Sequence, residues 1–179
     1  VTVAERLGVV VRGALFVAAL LFAVLAIRGQ NRPLDEGLPA PPLPLVSYDG
    51  QAWDLSRFAG KPVVVNFWGT WCPPCLQEMP HFARAATAYG DAVVFLGASV
   101  NSPRDDVFRV IERFGIRYPI AQVAAETTAS WNATSLPSTY LLDAQHRVQW
   151  SGVGAISGKE LEGLLEEHLG LPPPSSSSS

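Results

Sequence analysis

The chain has 179 residues, a formal net charge of -3 and two cysteines, with Lys and Arg scattered singly. That length allows one domain with a sizeable core plus a leader, and the lack of a clustered basic face excludes the electrostatic footprint that nucleic-acid phosphates require. Both cysteines fall inside NFWGTWCPPCLQEMP, Asn66 to Pro80; a pair so closely spaced closes almost no loop and contributes little as a staple.

In chain order, Leu7 to Ile27 (LGVVVRGALFVAALLFAVLAI) is apolar except for Arg12. As a helix it extends roughly 30 Å, the thickness of a bilayer's hydrocarbon core. The run from Gly13 also suits the apolar region of a secretory signal, with Val24-Leu25-Ala26 as a small-residue cleavage site. A retained anchor is preferred over a cleaved signal, because Arg12 lies near the end of the run and snorkels from there. Either form exports the remainder of the chain into a compartment where disulfides persist. Between Gln30 and Pro44, the five prolines Pro33, Pro39, Pro41, Pro42 and Pro44 favour extended polyproline backbone, a semi-rigid spacer reaching roughly 40 Å. The expected organisation is therefore an anchor or signal over 1–29, a Pro-rich linker over 30–44, a folded domain over 45–169 and a disordered Pro/Ser tail over 170–179.

Within the domain, LVSYDGQAWDL reads as a hairpin about Asp49-Gly50. VVVNFW, Val63 to Trp68, is of buried-strand type. The following LQEMPHFARAATAY places Leu76, Met79, Phe82, Ala83 and Ala86 at helical spacing, with Pro80 as a kink. Ala92 to Val100 reads as a second buried strand, and SPRDDVFRVIERFG as a helix with Ser102 as cap, Pro103 as first helical residue and Gly115 as stop. YPIAQV suggests a short strand, ETTASWN a short helix, and STYLLDAQHRVQWSG two strands about a turn at Asp143 to His146. A last helix over Ser157 to His168 carries Ile156, Leu161, Leu164, Leu165 and Leu169 as its apolar stripe. Strand, helix, strand, helix is the pattern of an α/β fold.

The cysteines sit where a strand hands over to a helix. At that place the sulfur of Cys72 lies beside unpaired backbone N–H groups and the positive end of the helix dipole, both of which favour thiolate, the attacking species in disulfide exchange. Cys75, one turn on, can attack the resulting mixed disulfide and release the substrate. A structural zinc site fits poorly, since it asks for four ligands and His81, His146 and His168 lie in unrelated places. Phe67 and Trp68 read as core, Gly69 and Thr70 as the turn, Trp71 as an exposed apolar patch for a partner's chain, and His81 as a surface residue.

VVVNFWGTWCPPCLQEMP resembles the active-site segment of the thioredoxin superfamily, and within it the membrane-anchored, exported TlpA/ResA/CcmG(DsbE)-like thiol-disulfide oxidoreductases, over about Leu38 to His168. The resemblance implies a thioredoxin-like fold, a central mixed β-sheet flanked by helices with an N-terminal β-hairpin and an inserted helix-strand, preceded by one transmembrane or signal helix. LPSTYLLD, Leu136 to Asp143, resembles the family's cis-proline loop, which makes Pro137 the residue facing the cysteines and Leu136, with Trp71, a binding residue. Thioredoxin carries a buried Asp six residues before its first cysteine; Asn66 holds that position here, and Glu78 is the family's substitute candidate for tuning and relaying the cysteine protons. No cofactor or metal is implied.

Pro73-Pro74 offers neither charge nor N–H to stabilise a thiolate, and a carboxylate at Glu78 would oppose one, so both point to a reductant. By resemblance the client is the oxidised CxxCH haem-attachment site of apocytochrome c, the electron donor is a membrane protein of CcdA or DsbD type, and the catalytic domain lies on the extracytoplasmic (periplasmic) side of the cell membrane. Copper-delivery proteins of oxidase assembly are an alternative client. A peroxiredoxin-like peroxidase is a further reading, disfavoured by the second cysteine three residues on, and a non-catalytic Cu(I)-binding module using the two sulfurs as soft ligands is another.

Overall fold

The computed structural model describes Arg12 and residues 14–22 and 34–174. The chain divides into two units, residues 1–32 and 33–179. In the first, Arg12 and 14–22 are helical; the rest of the expected membrane segment lies outside the described residues, among which no helix is long and apolar enough to cross a membrane.

The second unit is built on one seven-stranded sheet in the order β2-β1-β5-β4-β3-β6-β7. Its centre is β3 (Val63–Trp68), whose six residues are all buried. β-Branched Val63 to Val65 favour the extended backbone. Parallel pairing with β4 (Val94–Val100) on one side and antiparallel pairing with β6 (Ser138–Leu142) on the other cover both edges of β3. β5 (Ile120–Val123) continues the parallel set, and the hairpin of β1 (Leu45–Ser47) and β2 (Ala52–Trp53) joins it antiparallel. Gly50 turns that hairpin at φ 88°, a conformation glycine adopts without steric cost. β7 (Val148–Val153) closes the far edge against β6.

Helices α1 (Pro73–Tyr89), α2 (Arg104–Phe114), α3 (Ala125–Ser130) and α4 (Gly158–Leu169) cover the sheet. The period of two along β3 divides the core: Val64 and Trp68 pack with Met79, Phe82, Val107, Leu161 and Leu165, whereas Val63, Val65 and Phe67 pack with Leu43, Trp131 and Tyr140. Asn66 shares the parity of Val64 and Trp68 and so points under α1.

Several expectations are refined. β4 begins at Val94 rather than Ala92, because Gly90–Ala92 wind into a short 3-10 turn. Ser102 does not cap α2; Pro103 occupies the cap position without a side-chain bond, while Gly115 stops the helix in the left-handed conformation as anticipated. Pro80 lies inside α1. Residues 37–43, read as the distal part of a spacer, instead pack on the domain: Val148 N–H donates to the Leu38 carbonyl at 2.9 Å, Trp131 Nε1 donates to the Pro42 carbonyl at 3.1 Å, and Leu43 is buried. Their prolines suit this extended edge segment because proline has no N–H to leave unpaired. Of the tail, residues 171–174 have no regular structure and 175–179 lie outside the described residues.

Candidate active site

The chain leaves the C-terminal end of β3 through Gly69, Thr70 and Trp71 and enters α1 at Cys72, the N-cap residue, with Pro73 and Pro74 as the first helical residues. Proline at these positions fits, since the first N–H groups of a helix lack partners in any case. It also leaves Cys75 as the first residue of the helix with an amide proton, and that N–H points at Cys72 Sγ, 3.3 Å away. The sulfurs of Cys72 and Cys75 are bonded to each other at 2.08 Å. Cys75 is fully buried, and Cys72 is 4% exposed.

The turn before Cys72 is pinned. Thr70 N–H donates to Ser102 Oγ at 3.0 Å, Ser102 Oγ donates to the Val100 carbonyl at 2.9 Å, and Trp71 Nε1 reaches the same carbonyl at 3.3 Å. The indole folds over Gly69, where a Cβ would stand 2.8 Å from Trp71 Cε2. Trp71 is nonetheless 58% exposed, an apolar face beside the reactive sulfur, as the sequence suggested. Trp68 and Phe67 are fully buried.

Leu136-Pro137 is a cis peptide bond. Pro137 precedes Ser138, which pairs with Phe67 in the β3/β6 register, so the cis-proline loop and the cysteine turn lie at the same end of the sheet. Gly154 N–H holds the Pro137 carbonyl at 2.9 Å, and half-buried Leu136 packs against both halves of the core.

Glu78, three residues after Cys75 and hence on the same helix face, is 1% exposed. Its Oε1 accepts from Asn66 Nδ2 at 2.8 Å and its Oε2 from the Ile156 N–H at 2.9 Å. Burial outweighs these two bonds and pushes the Glu78 carboxyl up to about 7, so it exchanges a proton near neutral pH. Burial, and then the Glu78 charge, also hold the nearby Tyr118 phenol protonated well above its ordinary range; its O–H donates to Met79 Sδ at 3.3 Å. His81 lies at the surface of α1, half-buried, with its ring nitrogen bonded to Arg84. Among the described residues no group of three or more His, Cys, Asp or Glu side chains is placed to hold a metal ion.

Three participants escaped the sequence reading. Ser102 looked like a helix cap, and its turn-pinning role depends on β4 ending beside β3. Thr139 and the Ile156 amide contact the Asn66–Glu78 pair only through sheet register and loop placement, for which a linear sequence carries no signal.

The Redoxin family model matches residues 34–165, most of the chain and all of this site. The chain belongs to the redoxin family. This redoxin is 34% identical over 132 residues to the thiol-disulfide oxidoreductase ResA of Geobacillus kaustophilus, covering 73% of this chain and 76% of that one. It is 32% identical over 136 residues to the thioredoxin-like protein YneN of Bacillus subtilis, covering 74% and 80%. Among solved structures, a thiol:disulfide interchange protein of Chlorobium tepidum superposes with a TM-score of 0.65 at 28% identity, covering 77% of this chain and 97% of that one. The redoxin is thus a thiol-disulfide oxidoreductase of thioredoxin fold, and Cys72-Cys75 is its redox pair.

Proposed function

We propose that this redoxin is a membrane-tethered, extracytoplasmic reductase of protein disulfides, acting on the oxidised CxxCH site of apocytochrome c and recharged by a membrane thiol donor of CcdA or DsbD type. The observation that carries the reductase reading is the buried Glu78 one helical turn beyond Cys75. A carboxylate there disfavours a neighbouring thiolate, and Pro73-Pro74 adds no compensating N–H, so the dithiol is weakly acidic and its disulfide is stable. Such a couple gives up electrons.

In the forward direction the Cys72 thiolate attacks one sulfur of the client disulfide, and the other client sulfur leaves as a thiolate. Cys75 then attacks Cys72 Sγ, the mixed disulfide breaks, and the second client sulfur leaves. Two electrons pass to the client, and the protein ends in its disulfide form. Glu78 takes the proton from Cys75 as it becomes nucleophilic and returns it toward the leaving client thiolate. Trp71 and Leu136 present apolar surface to the client chain, and Pro137, without an N–H of its own, borders the same end of the sheet. The division into anchor or signal segment, linker, catalytic domain and tail goes with this reading: the apolar leader keeps the site at the membrane where its donor resides.

The decisive experiment is a trap. In Cys75→Ser the mixed disulfide on Cys72 cannot resolve, and the captured partner should carry a CxxCH pair. Capture of copper-delivery proteins instead would reassign the client. A couple as oxidising as about -120 mV against glutathione would refute the reductase direction.

A further inference from the structure

The hydrogen bonds around Glu78 are lopsided at Asn66. Asn66 is 2% exposed; its Nδ2 gives one proton to Glu78 Oε1 at 2.8 Å and the other to Thr139 Oγ1 at 3.1 Å, while its Oδ1 is buried without a hydrogen-bond partner among the described residues. An orphaned acceptor beside a doubly used donor is costly and uncommon. Thr139 stands directly across from Asn66 in the β3/β6 register and is fully buried.

The carboxyl makes different demands in its two forms. When ionised, both oxygens accept, one from the Ile156 N–H and one from Asn66, which is the arrangement observed. When protonated, one oxygen must donate. Oε2 faces a main-chain N–H that cannot turn, so the proton belongs on Oε1, where it would meet an Asn66 N–H head-on. A half-turn of the Asn66 amide replaces Nδ2 by Oδ1. The orphaned oxygen then accepts the Glu78 O–H, and Thr139, whose hydroxyl donates or accepts by rotating its proton, donates to the same oxygen. Each form has the same number of hydrogen bonds, with one amide atom unpaired: Oδ1 in the charged form, Nδ2 in the neutral one. Aspartate at this position would set a second carboxylate against Glu78, and an apolar residue would serve neither form.

We propose that Asn66 is a positioning residue for the proton transfer, its amide turning over together with the Thr139 hydroxyl as Glu78 gains or loses its proton. The inference rests on the reading of Glu78 as proton carrier. Among the described residues, the carboxyl bonds Asn66 from β3 and the Ile156 N–H ahead of α4; Thr139 from β6 bonds Asn66, Cys75 lies one helical turn before Glu78 on α1, and Tyr118, ahead of β5, feels the Glu78 charge and stays protonated. From α4 the acidic side chains Glu160, Glu162, Glu166 and Glu167 point away from the core layer, and two of them, Glu162 and Glu166, act on Tyr89 instead.

The test is nuclear magnetic resonance of the full chain in detergent micelles, in the disulfide form, where neither cysteine titrates. The Asn66 side-chain NH2 resonances should move with pH at the midpoint of the Glu78 carboxyl carbon, and should stop moving in Glu78→Gln. An Asn66 amide that stays still while the Glu78 carboxyl titrates overturns the inference and leaves the reading of Glu78 intact. In exchange kinetics, Asn66→Leu should slow client reduction about tenfold near neutral pH and alter the shape of its pH profile. Thr139→Ser, which keeps the hydroxyl, should preserve that profile, whereas Thr139→Val should not. If Asn66→Leu fails to fold, the resonances of the unsubstituted chain still decide. If Glu78→Gln exchanges thiols at the unsubstituted rate and pH profile, the proton-carrier reading falls and takes this inference with it.

Discussion

In the proposed reaction Cys72 and Glu78 divide the work at the scale of single residues. Cys72 belongs to the redox pair; replacing it by serine should bring client reduction to the uncatalysed background, measured as insulin disulfide reduction. Glu78 is the proposed proton carrier, and its burial links function to stability. An acid whose carboxyl is raised on folding binds more protons folded than unfolded, so it opposes folding as pH rises. Below about 4.5, the ordinary value, both states are protonated and no penalty exists; between there and about 7 the unfolded chain ionises first, and above that the penalty is complete, about 3 kcal/mol. Glu78→Gln should therefore be more stable than the unsubstituted chain by roughly that amount in denaturant unfolding above about pH 8, with the gain vanishing below about pH 4. A gain independent of pH would mean that the carboxyl ionises in its ordinary range.

Individual elements meet at the turn between β3 and α1, which is held by β4. Ser102, one residue beyond the Asn101 that follows β4, accepts the Thr70 N–H and donates to the Val100 carbonyl. Ser102→Ala removes both bonds and should cost about 1–2 kcal/mol in chemical unfolding, with a raised KM for protein clients as the turn loosens. Gly69→Ala acts on the other side of the same turn. Its Cβ would press 2.8 Å from the Trp71 ring, and since the indole is an exposed end it should swing away rather than unfold the strand. Loss of the Trp71 indole N–H resonance from its hydrogen-bonded position would report this, together with weaker client binding at an unchanged maximal rate. An unaltered resonance would mean that the turn, not the ring, absorbs the clash.

For the whole molecule, the site depends on a core layer that lies beneath it. α4 packs on α1 through Leu161 and Leu165, both fully buried, and its entry loop supplies the Ile156 N–H to Glu78. Leu161→Ala should destabilise the domain by about 2–5 kcal/mol in denaturant unfolding. Because it also loosens that loop, it should shift the pH profile of exchange, an effect that an equally destabilising Val65→Ala on the opposite layer should lack.

The linear order of residues by itself determined the strand VVVNFW, the helix after it and the chemistry of the CPPC pair, because periodicity, capping and cysteine spacing are local and act through the backbone near them. Trp71 was legible as an exposed face and Phe67 and Trp68 as core on the same grounds. The packing of residues 37–43 was not legible: extended prolines suit a free spacer and a docked edge equally, and contacts with residues distant in sequence, from the His146–Val148 stretch and from Trp131, distinguish the two. The environment of Glu78 was likewise decided by tertiary structure. Its partners Asn66 and Ile156, and Thr139 behind Asn66, come from separate stretches of chain, and a carboxyl's proton affinity depends on what surrounds it in space rather than on its neighbours in sequence.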